Sequence, residues 1–218
     1  MLIAVEGIDG SGKTTLLTEM AGILNGLGHS VFIRSYPVYD SYIGRRLGRL
    51  LAGTGQYDAS RTDPEAMALL YAIDRLQDYV DHKQEFTSSD YVLLNRYTLS
   101  SMVYQGIRSD CQTETMQWID HLEHELLGLP RPNRYIVLDT EPHIAHERIK
   151  QKGERNYTEG QTHDTYESNA DLQARAQQLY RRLSRDRTDV ILTASEEHGK
   201  HLTAHELAAR VLNDCGIT

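Results

Sequence analysis

A glycine-rich octet set between two regular patterns constrains this chain more than any other feature. GIDGSGKT (7–14) follows the apolar run LIAVE (2–6) and precedes Leu16, Leu17, Met20, Ile23, Leu24 and Leu27, which recur at helical spacing. Strand, tight loop and amphipathic helix form the context in which G-x-x-x-x-G-K-[ST] cradles phosphate. Gly7, Gly10 and Gly12 let the backbone curl until successive N–H groups face one centre, where the helix adds its positive N-terminal end. Lys13 then reaches the β/γ-phosphates, and the Thr14 hydroxyl meets Mg²⁺. With Ile8, Asp9, Ser11 and Thr15, these residues make up the expected nucleotide-contacting set. A plain glycine turn with an accidental lysine would not need the whole motif in this context, so ATP or GTP binding is the first expectation.

Short apolar runs at 2–6, 30–35, 91–95, 134–139 and 189–193 alternate with longer helical patterns, as in a parallel α/β sheet. Gly26 and Gly28 stop the first helix. A second helical pattern carries Met67, Leu70, Tyr71, Ile73 and Leu76, and a third carries Ile119, Leu122, Leu126 and Leu127 and ends at GLPRP (128–132). A late one carries Leu172, Ala176, Leu179, Tyr180 and Leu183. The expected architecture is a three-layer α/β fold of the P-loop nucleotide-binding type, with a five-stranded parallel sheet flanked by helices. KGERNYTEGQTH (152–163) is polar, holds two glycines and has no period. A structureless stretch of that length reads as a mobile lid, over about 150–163, on a single domain spanning 1–218.

Composition narrows the partners. The chain has 31 acidic and 23 basic residues, a net charge of −8, which argues against nucleic acid or an anionic membrane as the partner. Cys111 and Cys215 lack metal-type spacing and suggest no disulfide framework, and no apolar run approaches the ~18 residues of a spanning helix. The N-terminus, MLIAVEG, has no basic leader pattern. A cytoplasmic location is expected. The pairs His121/His124, His143/His146 and His201/His205 have same-face spacing but no third ligand, so solvated helix faces are expected there. The chain also lacks an N-K-x-D base-reading loop, which sets aside the common GTPases. Small-molecule kinases fit both the size and the polar lid, since closure keeps water from the phosphoryl group.

GIDGSGKTT, YP at 36–37, DR at 74–75, NRYTLSSMVYQG (95–106) and DTYE (164–167), taken together, resemble the thymidylate kinases, in family order and over almost the whole chain. GLPRP is similar to a segment of one bacterial branch. The resemblance implies ATP and dTMP as substrates, Mg²⁺ as cofactor and a homodimer. It implies that Asp9 faces the acceptor nucleotide and the metal, and that Tyr36, Tyr39 and Arg96 hold the acceptor phosphate. Tyr71 would stack on thymine, Arg75 would donate to the base, and Ser101 would stand where relatives often have an amide. Tyr104 would crowd the sugar 2′ position. Asp164, Tyr166 and Glu167 would follow the lid, with Glu167 a metal partner alongside Thr14. Thr193–Ser195 would border the adenine. By pattern alone, Tyr71 and Tyr104 read equally as core, and Arg75 as a surface cation.

Two residues depart from the family pattern. Asn95 stands where an Asp is usual. A phosphate monoester has its second pKa near about 6, so its oxygen needs no base at neutral pH, and Asn95 is expected to be tolerated. The resemblance implies one further arginine bridging the phosphates, from either the P-loop or the lid, and because this P-loop has only Ser11 before Gly12 the lid is expected to supply it. Arg155 is the expected catalytic group beside Lys13 and Arg96, with Arg148 as the fallback. A kinase for another nucleotide such as dUMP, or a silent nucleotide binder, are the alternatives that remain.

Overall fold

Alternation along the strands sorts the core into two apolar layers, one on each face of a single parallel sheet. The computed structural model describes residues 1–53, 58–151, 165–166, 169–194, 196–197 and 200–217. Its strands are β1 (Leu2–Glu6), β2 (Val31–Ser35), β3 (Tyr91–Asn95), β4 (Arg134–Asp139) and β5 (Val190–Ala194), in the order β2-β3-β1-β4-β5. All four pairings are parallel, with Val5 opposite Asn95 and Glu6 opposite Val137. The five expected strands are therefore present, each within one residue of the expected limits. A two-residue hairpin, β6 (Glu196–Glu197) with β7 (Lys200–His201), was not anticipated.

Ile3, Val5, Leu93, Ile136 and Leu138 face one layer, where they pack on α1 (Lys13–Gly26) and α9 (Ala204–Asp214). Ala4, Val92, Leu94, Tyr135 and Val137 face the other. There they meet α2 (Tyr42–Ala52), α3 (Pro64–Asp81), α5 (Thr98–Arg108) and α8 (Ala170–Asp186). The sequence pattern missed α5 because both of its faces are buried from Thr98 to Ile107, which leaves no amphipathic stripe to read. It also missed α2, the short α4 (Lys83–Ser88) and α9, although Thr203 and Glu206 form a capping box at the start of α9, whereas the helix face expected at His143 and His146 lies on α7 (Pro142–Gln151).

The third helical pattern needs correction. α6 (Gln112–His121) does not run on to residue 127 as an α-helix: Leu122–Leu126 form a π-helical turn, with the Leu127 N–H donating to the Leu122 carbonyl at 2.9 Å. The extra residue rotates the face by about a quarter turn. Leu126 is left 65% exposed, whereas Glu123 and His124 turn inward. His124 is therefore not on a solvated face. It is buried against the Leu129 carbonyl, and burial lowers its pKa. Residues 152–163 of the expected lid lie outside the described residues.

The sheet order puts β1 between β3 and β4, so the chain leaves the centre toward opposite edges. Ligands of such sheets bind at that reversal, beyond the C-terminal ends of the strands. Those ends carry Glu6, Gly7, Asn95, Arg96 and Asp139.

Candidate active site

The loop after β1 closes on itself through Lys13. Its Nζ donates to the carbonyls of Gly7 (3.1 Å) and Ile8 (2.8 Å), and Gly12, at φ 100°, turns the chain into α1. Gly10 is required on steric grounds: it lies at φ +79°, and a Cβ there would come within 2.2 Å of the Ala145 carbonyl on α7. The Ile8 side chain is core, so only its backbone is available to a ligand, and Thr15 is exposed on the first turn of α1. Arg148 of α7 reaches over the loop, with Nη1 3.5 Å from the Ser11 carbonyl.

A cavity of about 350 Å³ runs from this loop toward α3 and α5. Asp9, Gly10, Gly12, Lys13 and Thr14 line it, and so do Tyr36, Tyr39, Tyr71, Arg75, Arg96, Ser101, Tyr104 and Tyr166. The expected phosphate cradle and the expected acceptor residues therefore share one space, of a size suited to a nucleotide. Arg155, Asp164, Glu167 and Ser195 lie outside the described residues. Thr193, at the end of β5, receives Arg210 on its hydroxyl at 2.5 Å.

Arg96 adopts the left-handed region, φ 63°, which is uncommon for a residue with a side chain. There the backbone leaves β3 for α5, while the guanidinium turns back over the P-loop. It pairs with Asp9, donates to the Gly7 carbonyl (3.2 Å) and to Ser100 Oγ (3.1 Å), and lies 5.4 Å from the Tyr104 ring centroid. Burial is the largest single influence and opposes its charge, but Asp9, Tyr104, Tyr180 and Glu6 together outweigh it and hold its pKa well above the ordinary value. Beneath it, Glu6 is fully buried and accepts from the Tyr97 N–H (2.9 Å), the Ser100 N–H (3.3 Å) and the Ser100 hydroxyl. A carboxylate on β1 thereby caps α5, whose own N-cap residue, Tyr97, supplies no side-chain cap. Burial raises the Glu6 pKa, partly offset by Ser100 and Arg96. The only sequence signal for Glu6 was a charge ending an apolar strand.

The far end of the cavity is built around Arg75. It is not a surface cation: only 2% of it is exposed. Nε and Nη2 grip Glu123, and Nη2 also donates to Ser101 Oγ at 2.7 Å. The Tyr71 ring lies 6.0 Å from the guanidinium. Tyr36 lines the cavity with its ring, while its hydroxyl donates to Asp78 at 2.9 Å. Asp74, beside Arg75, receives the Val38 N–H and the Ser41 hydroxyl and so fixes the loop that carries Tyr39.

Thr14, Asp9 and Asn95 bring oxygen donors to the P-loop end. Asn95 Nδ2 lies 3.4 Å from Thr14 Oγ1, and its buried Oδ1 has no partner among the described residues. Hard oxygen ligands with an orphaned carbonyl-type oxygen fit Mg²⁺, which takes few protein ligands when phosphates supply the rest. Among the described residues, no group of three or more His, Cys, Asp or Glu could hold a metal by itself. Nor is any described helix long and apolar enough to cross a membrane.

Comparison with known proteins shows the family of the chain. The family model for thymidylate kinase matches residues 5–204. A thymidylate kinase of Mycobacterium tuberculosis is 31% identical over 186 residues, covering 84% of this chain and 86% of its own. Probable thymidylate kinases of Pyrobaculum calidifontis (36% identity, 69% of each chain) and Archaeoglobus fulgidus (33% identity, 70% of this chain and 71% of the other) are also similar. The chain belongs to the thymidylate kinase family.

Proposed function

We propose that the chain transfers the γ-phosphoryl group of ATP to dTMP: the bond from Pγ to the β-bridging oxygen breaks, a bond from Pγ to a dTMP phosphate oxygen forms, and ADP and dTDP leave. The observation that carries this reading is a single cavity joining the P-loop to a buried arginine, Arg75. Within it, Arg96 stands on the P-loop side and Tyr71, Ser101 and Tyr104 form the nucleoside side. ATP and dTMP together bring roughly six negative charges, so the protein's task is positioning and neutralisation. Lys13 releases its loop carbonyls for the β/γ-phosphates, and Arg96 lies between the P-loop and the acceptor end. Tyr39 and Tyr36 border the acceptor phosphate, and Tyr166 closes the wall behind Tyr104. Thr14, Asp9 and Glu167 would hold Mg²⁺, whose chemistry when bound is further neutralisation of phosphate charge.

ADP release with Mg-ATP and each of dTMP, dUMP, dCMP, dGMP, UMP and CMP tests the reading. A strong dTMP preference above ~1 s⁻¹ supports it. Preference for dUMP would favour the second reading, which rests on Ser101 being already engaged by Arg75 and on a single methyl being worth only ~1–3 kcal/mol. ATP binding with no turnover on any acceptor would leave a silent binder.

Asn95→Asp is expected to change kcat by less than ~30-fold, about 2 kcal/mol, because the acceptor oxygen is already ionised. A larger gain would show that the native amide impairs the site. For the lid, Arg155→Ala should lower kcat by ~10²–10⁴. If kcat stays unchanged while Arg148→Ala lowers it, the bridging arginine is the one that already overlies Ser11.

Several wider readings complete the proposal. The chain works as one domain with a lid over about 150–163, as a cytoplasmic enzyme that needs no nucleic acid. It acts as a homodimer. Leu69, Ile73 and Val80, exposed by 42%, 37% and 60% on one stretch of α3, support that pairing, and sedimentation at micromolar concentration checks it.

A further inference from the structure

Gln173, buried on α8, uses all four hydrogen-bonding positions of its side-chain amide. Oε1 accepts from the Asp9 backbone N–H (3.1 Å) and from the Tyr104 hydroxyl (3.1 Å). Nε2 donates to Asp9 Oδ2 (3.1 Å) and to the Tyr166 carbonyl (2.9 Å). Turned over, the amide would set its NH₂ against the Asp9 N–H and its oxygen against Asp9 Oδ2 and the Tyr166 carbonyl, so these three partners fix its orientation. A glutamate of the same length has no donors when ionised and would confront Asp9 with like charge. A methionine fills the space but makes none of the four hydrogen bonds.

These partners belong to different parts of the site. Asp9 lies in the P-loop, and its carboxylate is shared between Arg96 and Gln173. Tyr104 lies on α5. The plane of its ring is set by stacking on Tyr166, at 6.0 Å between centroids and 3° between planes, with the Arg96 guanidinium 5.4 Å away. Stacking still allows a ring to slide in its own plane, and the bond from the Tyr104 hydroxyl to Gln173 closes that freedom.

We propose that Gln173 is a positioning residue that sets two properties of the acceptor end together. It fixes the direction of the Asp9 carboxylate toward the transferring group, and it fixes the place of the Tyr104 ring against the sugar 2′ position. Turnover and the preference for deoxyribose are thereby coupled through one amide. The inference rests on the dTMP-kinase reading of this cavity.

The test compares the full-length wild type with Gln173→Met, Gln173→Glu and Tyr104→Phe. It measures kcat and KM for dTMP and for its ribose counterpart, with ATP affinity and thermal melting as controls. Gln173→Met should lower kcat/KM for dTMP by ~10–100-fold, the scale of a displaced reacting geometry, while ATP affinity changes little. Its preference for deoxyribose should fall at least ~5-fold, and Tyr104→Phe should share that loss. Gln173→Glu should share both losses, whereas a packing defect alone would lower turnover of the two sugars in equal proportion. Should Gln173→Met fail to fold, the other two variants, which nearly preserve volume, decide the matter. Folded variants with wild-type turnover or unchanged sugar preference overturn the inference while leaving the kinase reading intact. A wild type that phosphorylates no acceptor overturns both.

Discussion

Arg96→Ala is expected to lower kcat for dTMP by ~10³–10⁵, the range seen when an arginine is removed from a phosphoryl-transfer site. Arg96 spans the gap between the P-loop and the acceptor end, and its charge is held in place by Asp9, the Gly7 carbonyl and Ser100. Removing it takes away a cation where polyanions must meet and leaves Asp9 with less compensation. Arg96→Lys keeps the charge but loses the planar fork that reaches Asp9, Gly7 and Ser100 at once, so a fall of at least ~10² is expected. The backbone offers a control. Because Arg96 sits at φ 63°, glycine adopts its conformation without strain. Arg96→Gly should therefore keep the turn into α5 and still lose activity, showing that the guanidinium and not the bend is responsible. Single-turnover transfer with saturating ATP and dTMP measures this, and a kcat within 10-fold of wild type for Arg96→Ala would remove the residue from the transfer step.

The fold was legible because its signals are local. Five apolar runs bounded by turns needed only period and length, and GIDGSGKT needed only its place after a strand. Among the candidate residues, Lys13 in the loop and Arg96 at a strand end shared this advantage. The acceptor-side roles of Asp9, Tyr71 and Arg75 came only through the family resemblance, since by local pattern Tyr71 reads as core and Arg75 as a surface cation. What was not legible depends on partners distant in sequence. Glu6 reads as a strand end, and only the fold shows it capping a helix 91 residues later. Gln173 and Gln177 interrupt the apolar stripe of α8 at i and i+4, a pattern that looks like solvated surface. In the structure they are buried and serve Asp9 and Asp139. Glu123 gave no usable signal at all, because the π turn that brings it inward breaks the periodicity by which a helix face is read.

Glu123→Ala should be the most destabilising of these changes, because it strands a buried charge. Arg75 is 2% exposed and Glu123 fully buried, and the pair is joined through two guanidinium nitrogens. Glu123 also takes the Thr98 hydroxyl at 2.7 Å, so two helices lose a shared anchor. Removing one partner of such a pair costs about 3–5 kcal/mol, a large part of the ~5–15 kcal/mol that holds a domain together. For a chain of this size, that corresponds to a fall in Tm of roughly 6–20 °C. Glu123→Gln keeps the shape and one acceptor and should lose less. Function should follow in a particular way. Glu123 and Ser101 between them engage Nε and Nη2 of Arg75, and Nη1 has no partner among the described residues, so Nη1 is the end proposed to meet the base. Without Glu123 the guanidinium can rotate, and KM for dTMP should rise more than KM for ATP. Chemical denaturation with the two KM values measures both effects. A loss below ~1 kcal/mol would mean that Arg75 is hydrated through the cavity it lines, and that the buried pair does not hold this end of the site together.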